Sequence, residues 1–157
     1  MGSTLLLPGE DATHPLGEGL ASLLRPGDVL ALAGDLGAGK TTLTYSLARA
    51  LGVPKDVPVG SPTFTLVRSY PAPIPLHHLD LYRLSSPREL DELGFDDLLV
   101  SGGIVVVEWA DRFPEVFPDG ALWLRLSWVD ADHRKATFGP APLDPRIAAL
   151  IDAWGAP

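Results

Sequence analysis

Apolar residues cluster along this chain at two different periods. Asp28-Val29-Leu30-Ala31-Leu32-Ala33 and Ile104-Val105-Val106-Val107-Glu108 are continuous apolar runs, which read as buried strands, the second as a central parallel one. Leu76-His77-His78-Leu79-Asp80 reads as another strand that ends on an acid. Thr63 to Tyr70 alternates in part and is rich in β-branched and aromatic residues, so a strand is predicted there too. Ala121 to Val129 and Arg134 to Phe138 predict a hairpin around Asp130-Ala131-Asp132. Helical spacing appears elsewhere. Leu16, Leu20, Leu23 and Leu24 predict a first helix, capped by Asp11 or Thr13 and stopped before Pro26-Gly27. Leu43, Leu47, Ala50 and Leu51 share a face of a second, from Thr42 to Leu51, which Gly52 ends. Ser86-Pro87-Arg88-Glu89 opens a third with a serine cap, proline at the first helical position and glutamate at the third. Asp144-Pro145 opens the last, with Ile147, Leu150, Ile151 and Trp154 on one face. The expected architecture is an α/β fold: a small, mostly parallel sheet with flanking helices and an antiparallel hairpin near the C-terminus.

Between the first apolar run and the second helix lies Gly34-Asp35-Leu36-Gly37-Ala38-Gly39-Lys40-Thr41. It fills every fixed position of G-x-x-x-x-G-K-[ST], the phosphate-binding loop. Glycines let the backbone turn tightly, so N–H groups from Asp35 to Gly39 can point at phosphate oxygens. Lys40 would reach the terminal phosphates, and the Thr41 hydroxyl would sit on Mg²⁺. Strand, glycine loop and helix place a helix N-terminus under an anion. The fold expected is therefore of the P-loop NTPase kind, with residues 1–157 as one domain.

Mg²⁺ on a nucleotide takes one or two carboxylates besides phosphates and waters. Ligands of open α/β sheets sit beyond the carboxyl ends of the strands. Asp80 and Glu108 both end strands, so one is expected to hold the metal and the other to orient the attacking water, in an order the sequence leaves open. Ser61-Pro62-Thr63-Phe64-Thr65 is placed to sense the terminal phosphate as a switch loop. His77 and His78 face opposite ways on their strand and read as packed histidines rather than as a metal pair. Trp109 reads as core.

The net charge of −8 argues against a protein that grips nucleic acid unaided, because phosphate neutralisation supplies most of such affinity. No cysteine is present, which excludes disulfides and thiolate metal sites and fits a cytoplasmic protein. No run approaches the length of a membrane span, and no secretory signal is apparent.

Four blocks together resemble the TsaE (YjeE) family: Gly34 to Thr42, Ser61 to Thr65, His78-Leu-Asp-Leu-Tyr-Arg-Leu84 and Val107-Glu-Trp109. The resemblance extends from about Leu16 to Phe138. It implies an ATPase that binds and hydrolyses ATP with Mg²⁺. It also implies work alongside the TsaB–TsaD pair, which threonylcarbamoylates adenosine 37 of tRNA, so that tRNA is met through partners. By the same resemblance Lys40 and Thr41 contact phosphate and Mg²⁺. Thr42, Asp80, Glu108 and Trp109 match functional positions, and Arg134 matches a basic residue that contacts nucleotide. Ala110-Asp-Arg112 departs from the proline that many members carry there. Two other functions share the loop: a small-molecule kinase, and a nucleotide-gated binding module without hydrolysis.

Overall fold

The computed structural model describes residues 3–35, 37–60, 62 and 65–154. Leu36 of the glycine loop and Ser61, Thr63 and Phe64 of the anticipated switch segment lie outside the described residues. Among the described residues seven strands are present: β1 (Thr4–Leu7), β2 (Val29–Gly34), β3 (Val67–Tyr70), β4 (Leu76–Asp80), β5 (Ile104–Glu108), β6 (Leu122–Trp128) and β7 (Arg134–Phe138). They form one sheet in the order β1-β7-β6-β2-β5-β4-β3. The central strands β6, β2, β5 and β4 run parallel. Antiparallel strands extend both margins, β3 on β4 at one side, β7 on β6 and β1 on β7 at the other.

A strand turns successive side chains to opposite faces. Leu30, Leu32, Ile104 and Val106 accordingly enter one core, with Leu16 and Leu20 of α1 (Thr13–Leu23), Leu43 and Leu47 of α2 (Lys40–Ala50) and Ile147 of α5 (Pro145–Ala153). Val29, Ala31, Val105 and Val107 enter the other, with Leu90 of α3 (Pro87–Glu92) and Phe95 of α4 (Phe95–Leu99). Helices on both faces explain why β2 and β5 are apolar throughout instead of alternating. The same period decides the site. Leu76 belongs to the α2 side and Leu79 to the other. His78 and Asp80 of β4, and Glu108 of β5, therefore turn toward α2.

Some expectations change. β1 was not anticipated: three consecutive leucines mask an alternation in which Leu5 and Leu7 are buried and Leu6 is exposed. Its pairing partner β7 lies far along the chain. Neither Asp11 nor Thr13 caps α1; a 3-10 turn over Glu10–Ala12 leads into the helix, and Thr13 is its buried first residue. The strand expected from Thr63 begins at Val67, because Leu66 has φ +67° and breaks the extended chain. On α2 the buried side includes Thr44 and Ala48, while Ala50 is exposed. Thr44 tolerates burial because its hydroxyl donates back to the Lys40 carbonyl at 2.9 Å. The serine before α3 supplies a backbone carbonyl to Glu89 N and no side-chain cap. Asp144 does cap α5, its carboxylate accepting from Arg146 N at 2.8 Å.

Candidate active site at the phosphate loop

At the end of β2 the chain passes so close to β6 that a side chain has no room. A Cβ on Gly34 would lie 2.0 Å from the Leu126 carbonyl oxygen, and φ there is +133°. Glycine is required on both counts. The loop is then pinned to β6: Asp35 N donates to Leu126 O at 3.1 Å, and Trp128 N donates to the Asp35 carboxylate at 3.2 Å. Ala38 N donates to Asp35 O at 3.1 Å and tightens the turn. Gly39, at φ +110°, leads into α2 without a side-chain cap. The first-turn N–H groups of this 11-residue helix therefore face the loop with no side-chain cap among the described residues.

Lys40 is 5% exposed. Its Nζ donates to the carbonyls of Gly34 and Asp35, each at 2.9 Å, and lies 4.3 Å from the centre of the Trp109 ring. Burial pushes its pKa below 10.5, and Glu108, Asp111, Asp35 and Asp80 offset this only in part. Trp109 is thus not simply core. It adopts φ +58° directly after β5, which sets its ring over the lysine and 5.0 Å from the ring of Tyr82. A bulky residue in the left-handed region is strained, and such strain concentrates at functional sites.

Asp80 and Glu108 are register partners at the ends of β4 and β5. Both are nearly inaccessible, at 4% and 2% exposed. Thr41 Oγ1 donates to Glu108 Oε1 at 3.1 Å, and His78 Nε2 lies 2.5 Å from Glu108 Oε2. Asp80 Oδ1 accepts from Tyr82 N at 2.9 Å. Lys40, Thr41, Asp80, Glu108 and Trp109 thus meet at one edge of the sheet, and half-buried Thr42 follows on the same turn of α2. Arg134, on β7, approaches from the opposite side of the loop. Its guanidinium stacks 4.4 Å from the Trp128 ring.

Two residues of this neighbourhood escaped the reading of the chain. Thr13, a possible helix cap by its place in the sequence, instead sets its Oγ1 3.6 Å from where a Cβ on Gly39 would stand. No local pattern marks it, since only the packing of α1 on α2 brings it to the loop. His78 is packed, as the strand pattern predicts, but its contact with Glu108 was not foreseen. The available signal was its spacing: two residues before Asp80, on the same face of the strand.

Several features fit a bound nucleotide with Mg²⁺. Among the described residues, Arg134 Nε and Nη1 and Thr13 Oγ1 are buried without a hydrogen-bond partner. Buried donors are rarely left so. Arg134 Nη1 stands 4.0 Å, and Thr13 Oγ1 3.6 Å, from the space that a Cβ on Gly39 would fill. A hydroxyl beside a carboxylate, as in Thr41 and Glu108, is a hard-oxygen set suited to Mg²⁺. Among the described residues no cluster of three or more His, Asp or Glu forms a metal cage. A cavity of about 540 Å³ lined by Phe117, Trp123, Phe138 and Pro140 opens at the other end of the sheet, by the start of β6. It lies away from the strand ends that carry the polar groups. No helix among the described residues is long and apolar enough to cross a membrane.

A buried parallel strand, a glycine loop held against a neighbouring strand and a helix entered at its lysine define a phosphate-loop α/β protein. Comparison with known proteins narrows the class. The family model described as threonylcarbamoyl adenosine biosynthesis protein TsaE matches residues 7–136. The tRNA threonylcarbamoyladenosine biosynthesis protein TsaE of Bacillus subtilis is 39% identical over 129 residues, 82% of this chain and 79% of that one. Its counterpart of the same description in Streptomyces coelicolor is 44% identical over 121 residues, 74% of this chain and 80% of that one. The crystal structure of Bacillus subtilis YdiB superposes with a TM-score of 0.75 at 32% identity, over 95% of this chain and 90% of that one. The chain belongs to the TsaE family.

Proposed function

We propose that this protein is a Mg²⁺-dependent ATPase that serves the threonylcarbamoylation of adenosine 37 in tRNA, acting with the TsaB–TsaD pair. The observation that carries the reading is the meeting of Thr41 Oγ1 with Glu108 Oε1, 3.1 Å apart, at the mouth of the glycine loop. That contact joins the metal-side residue of the loop to a carboxylate from a neighbouring parallel strand, the arrangement phosphoryl-transfer sites of this class use. Family membership supports the tRNA-modification role.

When bound, ATP with Mg²⁺ supplies a phosphoanhydride whose developing charge is spread over the metal. The chain's own residues bind and orient it. Backbone N–H groups at the start of α2 take phosphate oxygens. Lys40 leaves its two carbonyls for the terminal phosphates and neutralises charge there. Thr41 and Glu108 hold the metal side, and Asp80 at the adjoining strand end orients the attacking water. Arg134 and Thr13 gain the partners that they lack in the protein alone. Trp109 would cover the lysine and limit water there, with Tyr82 packed against the Trp109 ring. Acidic balance fits a protein that meets tRNA through its partners.

The test is steady-state ATP hydrolysis with and without the TsaB–TsaD pair. Slow turnover alone, raised by the pair, is expected, because phosphate-loop hydrolases of this kind turn over slowly until a partner completes the site. Equal rates would refute the partner-dependent role. Glu108→Gln should bind ATP and hydrolyse it far more slowly; undiminished tRNA modification in that variant would show hydrolysis to be dispensable.

A further inference from the structure

His78 is wholly inaccessible, yet it is a polar side chain in the middle of a strand that could have carried leucine. Its Nε2 lies 2.5 Å from Glu108 Oε2, and both groups are buried. An ionised carboxylate only accepts, so Nε2 carries the proton and donates it. Among the described residues the other ring nitrogen, Nδ1, has no hydrogen-bond partner. Glu108 Oε1 is taken by Thr41 at the phosphate loop. The carboxylate is thus clamped at both ends: the oxygen far from the loop by the imidazole, the near one by the residue expected to hold the metal. Without the imidazole, Oε2 would be a buried anionic acceptor with no donor, and the carboxylate would turn to find one. Parallel pairing explains why His78 can do this. Its side chain and that of Glu108 lie on the same face of neighbouring strands, two residues back along β4 from Asp80, the register partner of Glu108.

We infer that His78 is a positioning residue, whose Nε2–H fixes the Glu108 carboxylate so that Oε1 faces Thr41 and the Mg²⁺-nucleotide. This rests on the nucleotide site proposed above. It adds that the orientation of the Glu108 carboxylate is set from inside the sheet, by a group behind it on β4. Groups behind a ligand commonly matter about 10–100-fold in metal affinity or activity.

The experiment is fluorescence titration of a mant-labelled ATP analogue against the full chain, with and without Mg²⁺, beside steady-state ATP turnover and a thermal melt. His78→Leu should raise the Mg²⁺ concentration needed for tight nucleotide binding by about 10-fold or more and lower turnover similarly. Its Mg²⁺-free nucleotide affinity should match that of the unaltered protein. His78→Gln, which retains an N–H donor at similar reach, should restore Mg²⁺ dependence most of the way. In a Glu108→Gln background, His78→Leu should add no further loss, because the two act through one contact. The inference is overturned if His78→Leu keeps the ordinary Mg²⁺ dependence, if His78→Gln is as impaired as His78→Leu, or if the losses from His78→Leu and Glu108→Gln simply multiply. Should His78→Leu fail to fold, His78→Gln decides alone: retained Mg²⁺ dependence supports the assignment, and loss in a folded protein ends it. Absence of nucleotide binding by the unaltered protein would remove the function itself, whereas normal binding with an indifferent His78 removes only this inference.

Discussion

Lys40→Met separates binding from folding at the centre of the loop. The lysine stem lies in a site only 5% exposed, and its ammonium already holds two carbonyls at 2.9 Å. The proposed nucleotide binding would exchange those bonds for bonds to anionic oxygens. Charge-assisted hydrogen bonds contribute about 1.5–3 kcal/mol each and neutral acceptors about 1 kcal/mol, so the exchange gains about 1–4 kcal/mol. Loss of that gain weakens binding about 5- to 700-fold. Two opposing effects act on folding. Methionine follows the same path through the apolar stem region and removes the ammonium whose burial depresses its pKa, while two carbonyls lose a partner. A net change of about 1 kcal/mol corresponds to about 2–4 °C in the melting temperature of a domain of this size. Isothermal calorimetry with ATP and Mg²⁺, paired with a circular-dichroism melt, measures both. A folded variant that binds ATP within about twofold of the unaltered protein would refute the assignment of the loop lysine to phosphate.

Three further outcomes follow from the geometry. Gly34→Ala drives a Cβ into the Leu126 carbonyl and strains a φ of +133°, so β2 must part from β6; a loss of about 3 kcal/mol or more in chemical denaturation is expected, and an ordinary midpoint would contradict it. Thr13→Val keeps the shape but removes a buried hydroxyl without a partner, so the ligand-free protein should melt no lower, and up to about 1–3 kcal/mol more stable, while ATP binds more weakly. Unchanged ATP affinity would detach Thr13 from the site. Hydrogen bonds from the Arg146 side chain and backbone hold the Asp144 carboxyl below its ordinary value of 3.8. A depressed folded-state pKa means stability that is present above pH 3.8 and lost as pH falls through the lower folded value. Asp144→Asn should therefore flatten the stability profile below pH 3.8 in urea titrations, and an unaltered acid limb would show that the group is not linked to folding.

Much of the fold could be read along the chain, because its strongest elements carry local signals. β4 and β5 run between the residues that their apolar pattern and terminal acids indicated. The hairpin of β6 and β7 and the capped start of α5 were equally legible. In each, the residues that pack and the residues that stop the element are neighbours in sequence. The Gly34–Thr41 loop was legible for the same reason, since tight turn, lysine and hydroxyl must all lie within one short segment to serve one phosphate group.

Elements whose cause is distant were not legible. β1 exists because β7 offers it an edge, and its leucine run conceals which side is buried. Leu66 breaks the strand before β3 through a backbone angle that no residue type announces. The site divides along the same line. Residue types and spacing sufficed to nominate Lys40, Thr41, Asp80 and Glu108. Tertiary structure alone brought Arg134 and Thr13 together beside Gly39, turned Trp109 over Lys40 and set His78 against Glu108. Sequence order specifies contacts within a turn or along a strand. Contacts across a sheet depend on strand order and register, which arise only when the whole core closes.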